Sequence, residues 1–115
     1  RPIVYCSAHP ATALVEWIVH LELDSDQIPT TIPYITLDVP DELHSERIAT
    51  ETLPLNWRAD TSISRELGDE WLASARSALF YVPSAIVPEA ENVLLNPSHS
   101  DFSRVTINGV RDEPW

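Results

Sequence analysis

Lysine and methionine are absent from this chain, glycine occurs twice and cysteine once. Without lysine, seven arginines stand against 18 Asp plus Glu, giving a formal net charge of -11 at pH 7. Non-specific affinity for DNA or RNA comes mostly from Lys and Arg neutralising phosphates, so this balance excludes a stand-alone nucleic-acid binder. Glu16, Glu22, Asp24, Asp26, Asp38, Asp41, Glu42 and Glu46 all fall between Arg1 and Arg47 with no Lys or Arg among them. Such a segment suits a basic protein partner, and solubility alone explains it as well. Gly68 and Gly109 cannot build a glycine-rich phosphate loop of the Rossmann or P-loop kind. Cys6 has no internal disulfide partner, which excludes a disulfide scaffold and points to a reducing, cytoplasmic setting. No apolar run approaches the roughly 18 residues of a membrane span, and no basic segment leads into an apolar one as in a signal peptide. The chain therefore reads as soluble, with no membrane contact. It opens on Arg1 and runs straight into a strand-like segment, so an N-terminal segment is expected to be lacking from it.

What is present is enough for a core: 43% of the 115 residues are hydrophobic, with four Trp, three Tyr and two Phe. Length and composition predict one folded domain over 1–115.

Ile3 to Ser7 reads as a short strand bounded by Pro2 and Pro10. Pro10 suits a first helical turn, and a helix is predicted over Ala11 to Leu23 with Leu14, Trp17, Ile18 and Leu21 as its core stripe. Thr12, Glu16 and His20 fall on its opposite face. A polar loop follows through Pro29. Thr31 to Val39 alternates as a half-buried strand, Ile35, Leu37 and Val39 on one side and Tyr34, Thr36 and Asp38 on the other. Residues 40–60 read as loop with one helical turn near Glu42 to Thr50. Ser62 to Ser77 is predicted as a second helix, carrying Ile63, Leu67, Trp71 and Ala75 at four-residue steps. Strands are expected at Ala78 to Val82, Ala85 to Val87 and Val93 to Leu95, with a last short one at Arg104 to Ile107 and a loose tail beyond Gly109. This order gives an α+β fold, a small mixed sheet with flanking helices.

Cys6, His9, His20, His44 and His99 lack the paired spacing of zinc ligands, so no metal is expected. Cys6 reads as a small buried hydrophobe in a strand. By spacing alone Glu16 reads as an exposed glutamate one turn from Thr12 and His20, although the same position serves equally to face a cleft. Pro83 breaks its strand so that Ser84 is presented at a bend, and Asn96-Pro97 is a rigid stop; both also read as ordinary turn chemistry.

Several segments gain meaning together. Arg1-Pro2-Ile3-Val4-Tyr5, the helix Leu14-Val15-Glu16-Trp17-Ile18-Val19-His20-Leu21, Leu53-Pro54 with Trp57, Gly68-Asp69-Glu70-Trp71-Leu72, Val82-Pro83-Ser84-Ala85 and Asn92 to His99 follow in an order and spacing that resemble the RES domain family over nearly the whole chain. The resemblance implies an ADP-ribosyltransferase-like fold and the toxin of a toxin–antitoxin pair, which degrades NAD as substrate by hydrolysis or phosphorolysis and is held by an Xre-type helix-turn-helix antitoxin. It implies that Glu16, Tyr5 and Ser84 are catalytic, and that Tyr5, Ser84 and Asn96 bind substrate. The family's usual upstream Gly-Arg-Trp segment has no counterpart here, and Arg1 occupies a different place in the pattern. Two alternatives stay open: transfer of ADP-ribose to a protein, and an inactive module that only binds the antitoxin. A homodimer is also left open. The acidic segment 16–46 is the expected docking face for a basic antitoxin, which predicts that binding weakens at high salt.

Overall fold

The computed structural model describes residues 2–21 and 31–114, with the side chains of residues 20, 21, 113 and 114 outside that description. The expected end of the first helix near Leu23, the polar loop after it, and the side chains of His20 and Leu21 therefore lie outside the described residues. Among the described residues two helices and two sheets make the α+β fold that the order of elements predicted.

Four short strands form the main sheet: β1 (Val4–Ser7), β3 (Ser45–Arg47), β4 (Leu79–Pro83) and β5 (Glu91–Leu95). Their order is β1-β5-β4-β3; β5 runs antiparallel to both neighbours and β3 parallel to β4, so the sheet is mixed. β2 (Thr31–Asp38) and β6 (Thr106–Pro114) form a separate antiparallel ribbon. The helices are α1 (Pro10–Leu21) and α2 (Thr61–Ser74).

β4 and β5 are apolar at consecutive positions because both faces of the sheet are covered. On one face Leu79, Val93 and Leu95 cluster with Leu43 and Ala78, and Leu37, Val39, Phe102 and Val105 pack against them. On the other, Phe80 and Leu94 meet Trp71 and Leu72 of α2. Full burial of one such side chain contributes about 1.5–3 kcal/mol. The Trp71 and Phe80 rings lie tilted at 5.3 Å between centroids. Trp71 Nε1–H donates to Ser77 Oγ at 3.0 Å and Ser77 Oγ–H to the Leu79 carbonyl at 2.8 Å, so burying the indole and the hydroxyl strands no polar atom.

α2 starts where Asp60 accepts from the Ser62 amide at 3.0 Å as its N-cap. It ends at Ser74, short of the expected Ser77, because Ala75 turns left-handed at φ 54° and Ser77 is taken up by the indole. Arg76 bridges Glu46 at 2.9 Å and Glu70 at 2.8 Å, tying β3 to α2.

Four expectations need correction. Residues 42–50 hold the strand β3, with a 3-10 turn at Thr50–Thr52, in place of one helical turn; pairing of Ser45 with Leu79 and Arg47 with Tyr81 overrides the low strand propensity of Ser-Glu-Arg. Residues 85–87 are a turn and not a strand, because the Ser84 hydroxyl accepts from the Ile86 and Val87 amides. Arg104 ends a 3-10 turn (Ser100–Arg104), and the tail beyond Gly109 is no loose end but most of β6, held by its register with β2. In that ribbon Leu37 packs on the core while Ile35 is exposed, since the ribbon leaves the core beyond Leu37; a bulge there makes Asn108 the extra residue.

Candidate active site

β1 runs into α1 through a turn of two residues. His9 serves as the N-cap: its carbonyl accepts from the Ala13 amide and its Nδ1 from the Ala11 amide at 3.0 Å, and Pro10 takes the first helical position, where no amide is needed. This entry turns the face bearing Thr12 and Glu16 inward. Thr12 is buried and Glu16 half-buried, whereas the stripe expected on the core, Leu14, Trp17 and Ile18, is only half-buried. The reading of Glu16 as a plain exposed residue is thereby corrected, because α1 lies beside the sheet with its polar side toward it.

Two donors converge on Glu16 Oε1. The Ser84 hydroxyl donates at 2.6 Å and the Asn92 side-chain amide at 2.9 Å. Asn92 is fixed in turn, its Oδ1 accepting from the Ser7 hydroxyl at 2.9 Å. Ser7 and Asn92 are direct cross-strand partners of β1 and β5, so the sheet register sets this chain of bonds. Ser84 is held from every side: its amide donates to the Ala90 carbonyl at 2.8 Å, and its carbonyl accepts from Arg58 Nη1 at 2.9 Å. Its exposure is 1%, so the hydroxyl is committed to the protein. Hydrogen bonds to a carboxylate are among the stronger ones, about 1.5–3 kcal/mol each.

Tyr5 is two residues before Ser7 on β1 and so shares its sheet face. Its ring is 74% exposed, an aromatic surface on the face that carries Asn92 and its bond to Glu16. Three of the four residues singled out in the sequence thus share one region: Tyr5, Glu16 and Ser84.

Asn96 does not join them. It lies past the far end of β5, roughly 13 Å along the strand from Asn92 at 3.3 Å per residue. Its side chain is buried and its Oδ1 accepts from the Ser98 amide at 3.0 Å, the bond of an Asx turn. Asn92 and Ser7 are the site residues that pattern reading missed. The available signal was two polar side chains, Ser7 and Asn92, next to the apolar runs of their strands, where a half-buried polar group asks for a partner.

Cys6 points to the opposite face, against the core, and burial pushes its thiol above the ordinary value, which leaves it a poor nucleophile. Among the described residues no three His, Cys, Asp or Glu side chains converge as metal ligands would, and no helix is long and apolar enough to cross a membrane.

The model of one protein family, the RES domain, matches residues 1–115. This chain belongs to the RES domain family. Among similar proteins, one of Sphingobium sp. named Prs ADP-ribosylating toxin is 40% identical over 113 residues, 95% of this RES domain and 69% of that protein. A protein of Pseudomonas putida named Toxin Res is 36% identical over 99 residues, 86% of this chain and 67% of its own. A Toxin Res of Photorhabdus laumondii is 34% identical over 113 residues, 96% and 70% of the two chains. In this RES domain the matched region includes both the Glu16 helix and the Ser84 turn that holds it.

Proposed function

We propose that this RES domain is the toxin of a toxin–antitoxin pair, an enzyme that cleaves the bond between nicotinamide and ribose in NAD. The observation that carries the reading is the Glu16 carboxylate, clamped at Oε1 by Ser84 and Asn92, with the exposed Tyr5 on the sheet face that bears Asn92.

The bond from the ribose anomeric carbon to the nicotinamide nitrogen breaks with its electron pair going to the nicotinamide ring, which leaves neutral. Positive charge then spreads over the anomeric carbon and the ring oxygen of the ribose, as in glycoside cleavage. A carboxylate fixed in advance stabilises that charge without reorganising, and Glu16 takes this role. Ser84, enclosed by its own turn, orients Glu16, and Asn92 does the same from the sheet. Tyr5 stacks on the flat nicotinamide with its open ring face. Water, phosphate or a protein side chain then attacks the anomeric carbon, and its proton passes to solvent.

Residues 1–115 act in this reading as one catalytic domain of ADP-ribosyltransferase-like architecture, working in the cytoplasm where NAD is available. Its partner is a basic helix-turn-helix antitoxin of the Xre type. Transfer to a protein is the second reading, favoured by the name of the Sphingobium relative, Prs ADP-ribosylating toxin.

The test follows NAD loss with the intact gene product and identifies the products by mass spectrometry, beside Glu16→Gln. Free nicotinamide with ADP-ribose or its phosphate supports cleavage to water or phosphate. A gain of one ADP-ribose on a protein selects the second reading. NAD left untouched by the antitoxin-free protein defeats both.

A further inference from the structure

Ser84 must be held at a bend, and most of what holds it is local. Its amide and its hydroxyl bond to Ile86, Val87 and Ala90 of the same turn, apart from the bond to Glu16. Arg58, from the segment before α2, is the long-range support: Nη1 donates to the Ser84 carbonyl at 2.9 Å. The guanidinium lies over the Trp57 ring at 4.7 Å, and Trp57 is buried. A planar cation stacked on a fixed indole has little freedom left, so the bond to Ser84 costs little further ordering.

Arg58 also differs from three other arginines of the chain. Arg47 pairs with Glu91, Arg76 with Glu46 and Glu70, and Arg104 with Glu42. Among the described residues Arg58 has no carboxylate partner. In a chain of net charge -11 that invites the idea of a pyrophosphate anchor, yet Glu51, Glu89 and Glu91 line the cleft that Arg58 borders, against Arg47 and Arg58 alone. Three carboxylates facing two guanidiniums make a poor seat for an anion. The Arg58 guanidinium hydrogen-bonds instead to the backbone of the residue whose hydroxyl holds Glu16.

We propose that Arg58 is a positioning residue: through the Ser84 carbonyl it keeps the bend at which the Ser84 hydroxyl meets Glu16. The proposal rests on the reading of Glu16 as the charge-stabilising carboxylate. It predicts that Arg58 acts through Ser84, so the two are not independent.

The experiment measures NAD cleavage by the intact protein and by Arg58→Ala, Arg58→Lys, Ser84→Ala and the double variant Arg58→Ala/Ser84→Ala, each checked for folding by its denaturation midpoint. Removing one oriented contact of this kind is expected to lower kcat about tenfold in Arg58→Ala, with KM nearly unchanged and part of the loss recovered in Arg58→Lys. The double variant should be no slower than Ser84→Ala. Losses that multiply, or a raised KM with kcat intact, overturn the proposal, the second by making Arg58 a substrate contact. Amide hydrogen exchange gives a readout independent of catalysis: Arg58→Ala should speed exchange at Ile86 and Val87, whose amides bond to Ser84 Oγ. If the wild-type protein leaves NAD intact, the reading of the site falls and exchange alone decides on Arg58: faster exchange upholds its hold on the bend, unchanged exchange refutes it. Arg58→Lys serves for the exchange measurement if Arg58→Ala does not fold.

Discussion

The two ends of β5 carry an asparagine each, and the two do different work. Asn92 reaches across to Glu16 and Ser7, linking strand, helix and turn into one hydrogen-bonded chain. Asn96 folds back on its own segment, its amide bonded to the Ala78 carbonyl and its side chain to the Ser98 amide. The same residue type, four positions apart, is spent at one end on a carboxylate and at the other on closing a turn. What separates them is only which element lies opposite: α1 beside Asn92, the chain's own next turn beside Asn96.

The sharpest way to break this contrast is to remove charge at the first end while keeping shape. Glu16→Gln retains a carbonyl oxygen for Ser84 and Asn92, so the protein should stay folded, its denaturation midpoint lowered only modestly as the two bonds lose their charge. Its NAD cleavage should fall about a thousandfold, the upper range for losing one preorganised electrostatic contact. Rate loss together with unfolding would mean that the carboxylate supports the fold instead.

Next in size is the core that underlies both ends. Trp71→Ala should lower stability by about 3–5 kcal/mol, as large aromatic truncations do when the cavity cannot close. It also removes the indole donor to Ser77 Oγ, which keeps its own bond to the Leu79 carbonyl. A urea midpoint within experimental error of the wild type would show that Trp71 is not the packing centre.

The smallest expected effect concerns pH. Hydrogen bonds from Ser62 hold the Asp60 carboxyl below its ordinary range, and Arg76 does the same for Glu70. Groups lowered in the folded state bind fewer protons there than in the unfolded chain, so their stabilisation is present above the unfolded carboxylate range. It is lost as pH falls through the folded values. Glu70 is exposed and Asp60 half-buried at the helix end, where its bonds are open to water, so the effect is modest. Asp60→Asn keeps a capping side chain and removes the titration, so it should flatten the acid limb of the stability curve slightly. An unchanged acid limb would place that dependence elsewhere.

Much of the fold was legible in the sequence, whereas the contrast between the two asparagines was not. β1, α1, α2 and the two central strands follow from apolar pattern and proline placement, and Tyr5, Glu16 and Ser84 from a family resemblance. The inward turn of Glu16 was not legible, because helical periodicity separates faces without saying which structure each one meets. Asn92 was hidden for a related reason: its partner Ser7 is a matter of strand register, and Glu16 a matter of how α1 crosses the sheet edge. β3 and most of β6 were missed because Ser-Glu-Arg and the polar tail hold strand geometry only through their neighbours.

The most direct test sets Asn92→Ala beside Asn96→Ala and measures kcat for NAD cleavage and the denaturation midpoint of each. Loss of one bond to a charged group predicts that Asn92→Ala slows cleavage about ten- to hundredfold and keeps most of its stability. Asn96→Ala should lose about 1–2 kcal/mol of stability, the cost of a buried polar contact, and keep its kcat where folded. Equal losses of kcat in the two variants, or a fully active Asn92→Ala, would contradict the division of β5 into a working end and a structural end.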